Sequence, residues 1–352
     1  MGIRSMRWDD WIEIDHELPK YHLIRSERIR TRGDKVVKTL PPRPGVAGGS
    51  SAAVELVYEL SEFLVRKYPQ IYKVTRRKAQ TEDFGWYGDG QIESITILPL
   101  QVTYELDKED PLRVATLLTQ EDLALMIEGS DGKYYFQAGA ITVPGFWRME
   151  DKIGLPLEEI HLTGDVPQYR EKLQNSLERF FFKLSVNKPV LRNNYSFQIV
   201  RDANDPQRTI SNDPDELAWS DTTIGHEDYY DQKGRGPFSD AQQTGKVEFR
   251  PPGSAENIRL RTERQGLRRL PRSGAIVFTI RTYIFPITDL AKEPGVPGRM
   301  ASAIRSWPAD VSRYKAKRLY DDVILSYLDE SHRKQIEAGV VRADDHSSNY
   351  PY

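Results

Sequence analysis

Between Asn257 and Pro286 the chain reads NIRLRTERQGLRRLPRSGAIVFTIRTYIFP, and no other stretch limits the fold as tightly. Ile258, Leu260 and Thr262 alternate with Arg259, Arg261 and Glu263, a period of two that sends the two sets to opposite faces of a β-strand. A second run, Gly274 to Pro286, is dense in Ile, Val, Phe, Thr and Tyr, suits a half-buried pleated surface, and carries Arg281 in its middle. Leu267 to Ser273 then forms the connection between the arms. A charge placed mid-strand must be paired or must meet a ligand, because an isolated buried ion costs several kcal/mol. Glu263, with Arg261, Arg264 and Arg281, is suited to either.

The rest of the chain narrows the classes of function. With 352 residues it has ample length for a substantial core, and no Gly/Ser or Pro-rich linker divides it cleanly. Lys plus Arg is 50 against Asp plus Glu 52, a net charge of −2, so the chain lacks the basic excess of a nucleic-acid binder. It has no cysteine, which excludes disulfides, thiolate nucleophiles and Cys-ligated zinc, iron–sulfur or haem. Any metal must be held by His, carboxylate or Tyr. No run approaches the roughly 20 apolar residues of a membrane span, the polar start MGIRSMRWDDWIEIDHELPK has no signal-like apolar region, and a cytoplasmic location is expected. There is no P-loop, no nucleophile elbow and no dinucleotide fingerprint, so the chain is expected to hold no nucleotide site of its own.

Residues 1–50 read as an extended, partly irregular lead-in. Ala53, Leu56, Val57, Leu60, Phe63 and Leu64 predict an amphipathic helix over about 52–67, started by Ser50 or Ser51 and stopped before Pro69. Ile92 to Leu106 reads as strand with Pro99 at an edge or break, Thr119 to Glu128 as a short helix, and Lys133 to Val143 as strand. Gln168 to Leu184 is helical and Tyr195 to Arg201 a strand. Residues 203–246 form a long polar excursion with one short helix near Pro214 to Trp219. Val311 to Glu330 reads as one amphipathic helix, and 331–352 as a mobile tail. The order lacks a strand–helix–strand repeat and so favours an antiparallel α+β architecture, with 1–330 as a single domain.

Of six histidines, His161 stands out, in a loop rich in Pro, Gly and aromatics between a predicted strand and a predicted helix. A lone His is commonly a hydrogen-bonded structural residue; neutral imidazole is also the commonest protein ligand of haem iron. Trp147 and Phe146 serve equally as pocket wall or plain core. Glu263 is either half of a structural ion pair or the anchor of a cationic substrate. Arg192 to Ser196, RNNYS, offers Asn193, Asn194 and Tyr195 as polar pocket groups.

The run RLRTERQGLRRLPRSGAIVFTIRTYIFPI closely resembles the signature of the haem-dependent oxidative N-demethylase alpha-subunit-like family. AGAITVPGFWRMEDKIGLPLEEIH with VPQY, RNNYS, WIEIDHEL and ELVYELSEFLVRKYPQIY support the likeness. The resemblance implies a PAS-like antiparallel sheet, elaborated with additional helices and the long polar insertion, that encloses haem b. It implies a monooxygenase subunit that removes a methyl group from a small secondary amine with O2. Electrons would come from NADPH through a separate flavin-containing reductase. Carried over by position, His161 would be the axial ligand and Glu263 would anchor the protonated amine. Arg261, Arg264 and Arg281 would pair with cofactor carboxylates, Trp147 would line the cofactor, and Tyr195 and Tyr283 would supply hydroxyls. The chain departs from the pattern at LTGDVP after His161, which bears on ligation geometry, and at Tyr195 in place of Trp and Gly266 in place of Thr, which bear on substrate identity, so a different amine substrate is expected. The alternative is a non-catalytic PAS-like protein that senses or scaffolds with haem or a small ligand.

Overall fold

A computed structural model describes residues 2–80, 88–201, 216–229 and 252–342. The strands are β1 (Arg4–Ser5), β2 (Val37–Thr39), β3 (Tyr72–Arg76), β4 (Ile92–Ile97), β5 (Val102–Glu105), β6 (Glu121–Glu128), β7 (Tyr134–Ala140), β8 (Val190–Ile199), β9 (Ile258–Arg269) and β10 (Ile276–Pro286). The α-helices are α1 (Leu18–Arg32), α2 (Ser50–Lys67), α3 (Pro111–Leu118), α4 (Leu157–Thr163), α5 (Gln174–Lys183), α6 (Asp221–Ile224), α7 (Ile287–Leu290), α8 (Val296–Arg305), α9 (Ala309–Tyr314) and α10 (Asp321–Glu337). Seven strands form one sheet in the order β1-β8-β9-β10-β6-β7-β2, and β3-β4-β5 form a second. The pairings β1–β8, β10–β6, β6–β7 and β7–β2 are antiparallel, as are both in the small sheet. The architecture is α+β with a large antiparallel sheet, as the element order predicts. Among the described residues no helix is long and apolar enough to cross a membrane.

The chain divides into two compact units, one of Met1–Leu162, Tyr169–Asn194 and Glu263–Thr282, the other of Thr163–Gln168, Tyr195–Thr262 and Tyr283–Tyr352. In the first, α2 and α3 bury Leu56, Leu60, Leu64, Leu112 and Leu117 in one apolar cluster with Leu123 and Leu125 of β6 and Val277 of β10. Cross-strand pairing of Val277 with Leu125 sets these side chains on one face of the sheet. The acidic residues of α2 are buried too, and each has polar partners. Glu55 accepts the backbone N–H groups of Arg272 and Ser273, Glu59 pairs with Arg268 at 2.9 Å, and Glu62 pairs with Arg76 at 2.6 Å. In the second unit, Phe197, Ile258, Ile287, Ile304, Tyr320, Ile324 and Leu328 form the core that α8 and α10 close.

Several expected elements change. The lead-in contains a 15-residue helix, α1. Its buried stripe, Leu18, Tyr21, Ile24 and Arg25, includes a guanidinium that bonds Asp122 at 3.0 Å and the Thr116 carbonyl at 2.9 Å, so an arginine behaves as a core residue. Thr119 to Glu128 is strand β6 rather than helix, because residues 121–127 are buried on both faces and Asp122 serves Arg25, Thr142 and Val143 instead of a helix start. The sequence reading has no helix at 111–118, where Asp110 accepts the Arg113 N–H at 2.7 Å and Pro111 opens α3. Pro99 marks a break, as expected, in a 3₁₀ turn between β4 and β5. Gly49, not Ser50 or Ser51, occupies the cap position of α2. The helix expected over Val311–Glu330 is interrupted between α9 and α10, and α10 continues to Glu337. The short helix expected near Pro214 to Trp219 begins outside the described residues, and a four-residue helix stands at Asp221–Ile224. Most of 203–246 and the last residues of the expected tail lie outside the described residues.

Candidate functional site

His161 sits on α4, not in a loop, and β7 places it. The Phe136 N–H donates to the Leu155 carbonyl at 3.0 Å, the Gly154 N–H donates to the Phe136 carbonyl at 2.7 Å, and Tyr135 bridges to Pro156. Gly154 has φ +84°, a turn conformation that L side chains rarely adopt, and it delivers the chain into the helix. One turn into α4 the His161 Nδ1–H donates to the Leu157 carbonyl at 2.8 Å. That bond fixes the tautomer and leaves Nε2 as the acceptor nitrogen, with no hydrogen bond among the described residues.

Two aromatic rings hold the imidazole plane. Tyr169 stacks on it with centroids 4.8 Å apart and planes 8° apart, and Trp147 meets it edge-on at 6.4 Å and 77°. Tyr169 opens a five-residue π-helical turn ahead of α5. The connection from His161 to Tyr169 contains two non-glycine residues at positive φ, Asp165 at 53° and Gln168 at 56°. Such backbone is strained and persists where surrounding structure imposes it. The Tyr169 ring is 2 % exposed and its hydroxyl is buried with no hydrogen-bond partner among the described residues. Burial, with the fields of Glu178 and Glu158, pushes that phenol well up, so it remains a proton donor.

The charges around His161 favour its neutral form. Burial lowers its pKa, the Leu157 bond acts in the opposite direction, and Arg192 and Lys152 lower it further. Lys152 is itself 6 % exposed, with Nζ 5.0 Å from the Trp147 ring centroid. Burial brings its pKa down to about 8 against the opposing field of Asp151. A buried ammonium and a neutral, oriented imidazole share Trp147.

Glu263 lies in the same unit on β9. Its Oε2 accepts from Gln265 Nε2 at 2.7 Å and from Asn194 Nδ2 at 3.3 Å. Gln265 shares its strand face, two residues on, and Asn194 comes from the RNNYS segment of β8, so two regions singled out in the sequence meet at one carboxylate. Arg264 pairs with Glu13 at 2.9 Å and donates to the Trp11 and Asp10 carbonyls. Arg281 is fully buried, pairs with Asp15 at 2.7 Å and lies 4.3 Å over the Tyr21 ring. Burial opposes the charge of Asp15, yet the hydrogen bond from Gln120 and the Arg281 field leave its pKa lowered. Both arginines hold carboxylates of the chain itself.

Arg261, Tyr195 and Tyr283 belong to the other unit. Arg261 is buried and donates to the Leu217 carbonyl at 2.8 Å. The Tyr195 hydroxyl accepts from Trp307 Nε1 at 3.2 Å, and Tyr283 stacks on Phe285 at 6.3 Å. Sequence reasoning assigned no role to Tyr169 or Lys152, although Tyr169 ends the VPQY motif and Lys152 lies in RMEDKIG.

A comparison with protein families aligns residues 2–325 with the model described as haem-dependent oxidative N-demethylase, alpha subunit-like. The chain belongs to this family. The alpha-subunit-like family match spans His161, Tyr169, Asn194, Glu263 and the whole β9–β10 region, so every residue of the site described above lies inside it. Haem dependence is part of the family's description. The donor set agrees with a porphyrin iron, because one neutral imidazole with a bare Nε2 is what an axial position requires.

Proposed function

We propose that this chain is the haem-binding subunit of an oxidative N-demethylase, built on a PAS-like antiparallel core and acting on a small N-methyl amine. The observation that carries the reading is His161, neutral, held at Nδ1 by the Leu157 carbonyl and clamped by Tyr169 and Trp147, within a chain of this family. His161 would hold the iron through Nε2 and Trp147 would line the macrocycle. Lys152 and Arg192 would supply positive charge for its carboxylates. When bound, haem b supplies dioxygen binding and one-electron chemistry.

The protein's part is binding and proton handling. Glu263, oriented by Gln265 and Asn194, would pair with the protonated amine and take its proton before oxidation. In the overall reaction one atom of O2 leaves in formaldehyde and the other in water, and the N–CH3 bond is replaced by N–H. Two electrons enter from NADPH through a partner flavin reductase.

Absorption spectra of the reconstituted protein test the first step: wild type is expected to show a Soret band that His161→Ala loses or shifts. An unchanged band in the variant overturns the ligand assignment. Formaldehyde release coupled to NADPH consumption, with a reductase and a panel of methylamines, tests turnover. Haem binding without release would make the chain a sensor instead.

A further inference from the structure

Lys315 is turned into an aromatic box in the second unit. Its Nζ lies 4.3 Å from the Tyr195 ring centroid and 5.3 Å from that of Trp307, and it donates to the Tyr195 carbonyl. The two rings are fixed 6.0 Å apart by the Trp307 Nε1–H bond to the Tyr195 hydroxyl. Phe197 backs both, at 6.4 Å from Tyr195 and 6.1 Å from Trp307.

The backbone departs from its sequence pattern to achieve this. A continuous amphipathic helix suits residues 311–330, yet α9 stops at Tyr314 and Ala316 adopts φ +51°. That conformation is disfavoured for an L residue because its Cβ crowds the following carbonyl oxygen. The Tyr320 hydroxyl donates to the Lys315 carbonyl at 2.7 Å and holds the bend. Two electron-rich ring faces and a carbonyl converging on one ammonium are the elements that recognise N-alkylated ammonium ions.

We propose that Tyr195 and Trp307 form a binding site for an N-methylated ammonium ion, with Lys315 as its internal occupant. A ligand enters by displacing Lys315, which frees Ala316 from its strained conformation. Tyr195 thus acts through its ring face and carbonyl, because its hydroxyl is engaged by Trp307. The site does not depend on His161 or on haem, so it stands or falls separately from the function proposed above.

The test uses the full chain without haem and tetramethylammonium chloride as probe, with sodium chloride as the ionic-strength control. Calorimetric titration is expected to give Lys315→Ala a saturable dissociation constant at least tenfold below that of wild type. The double variant Lys315→Ala, Trp307→Leu is expected to lose saturable binding. Equal weak responses in wild type and Lys315→Ala, or binding that survives removal of Trp307, overturn the proposal. Should Lys315→Ala fail to fold by circular dichroism, amine-reactive labelling of wild type read by mass spectrometry decides. Labelling of Lys315 must rise with tetramethylammonium and not with sodium; equal labelling overturns the site.

Discussion

A histidine becomes a ligand through what holds its other nitrogen. The Leu157 carbonyl on Nδ1 leaves the lone pair of His161 on Nε2, and the stacked Tyr169 ring restricts rotation about the Cα–Cβ bond. Tyr169→Phe keeps the stack and removes the orphan hydroxyl; Tyr169→Leu removes both. Positioning residues of this kind typically change metal affinity about 10–100-fold, so Tyr169→Leu is expected to weaken haem binding by about tenfold or more, with a shifted Soret band. Tyr169→Phe is expected to keep the band position. Haem titration followed by absorbance measures both, and identical affinities in wild type and Tyr169→Leu would remove Tyr169 from the site. Because burial disfavours the imidazolium, the folded state favours neutral His161, and this stability is present above the ordinary histidine pKa and lost as pH falls below it. Haem release on acidification should therefore accompany loss of stability. At Glu263, Glu263→Gln keeps the shape and removes the charge that would hold a protonated amine. Its KM for the amine is expected to rise at least tenfold with the haem spectrum unchanged, and an unaltered KM would place amine binding elsewhere.

Among the elements, the strongest surprises share one cause, the burial of charge. Helix α1 was hidden in the sequence because its apolar stripe contains Arg25, which reads as solvent-facing until Asp122 is brought to it. Removing one partner of such a buried pair costs about 3–5 kcal/mol, so Arg25→Ala should lower the midpoint of urea unfolding accordingly. A midpoint within error of wild type would mean the pair contributes nothing. Gly266 has a steric explanation instead. A Cβ there would lie 2.7 Å from Thr279 Oγ1 on β10, so the departure to glycine at this position fits a close approach between strands. Gly266→Thr should be destabilising by about 1–3 kcal/mol, and Thr279→Ala in the same chain should recover part of the loss. Independent, additive effects in that double-mutant cycle would refute the contact. Elements with a strong apolar period of their own, such as α2, β7 and α5, were legible from sequence even where, as in α2, buried acids sit beside the apolar stripe.

For the molecule as a whole, pH acts through groups that folding removes from water. Burial raises Glu216 to about 7, with the hydrogen bonds from Thr222 opposing the shift. Between the ordinary carboxylate pKa and that value the folded state binds more protons than the unfolded one, so this group makes stability fall as pH rises through the window. Glu216→Gln is expected to flatten that part of the thermal-stability profile, and an unchanged slope would assign the dependence to another group. The amino-acid sequence by itself determined the α+β class, the charged β9–β10 strands and the family, because periodicity of two, helical spacing and motif identity are local properties of the chain. Tertiary structure alone decided that β6 is a strand, that Asn194 meets Glu263, that Arg264 and Arg281 hold carboxylates of their own chain, and that Tyr169 stacks on His161. Each of those depends on a partner distant in sequence, whose approach sets the burial and the charge that the local pattern cannot contain.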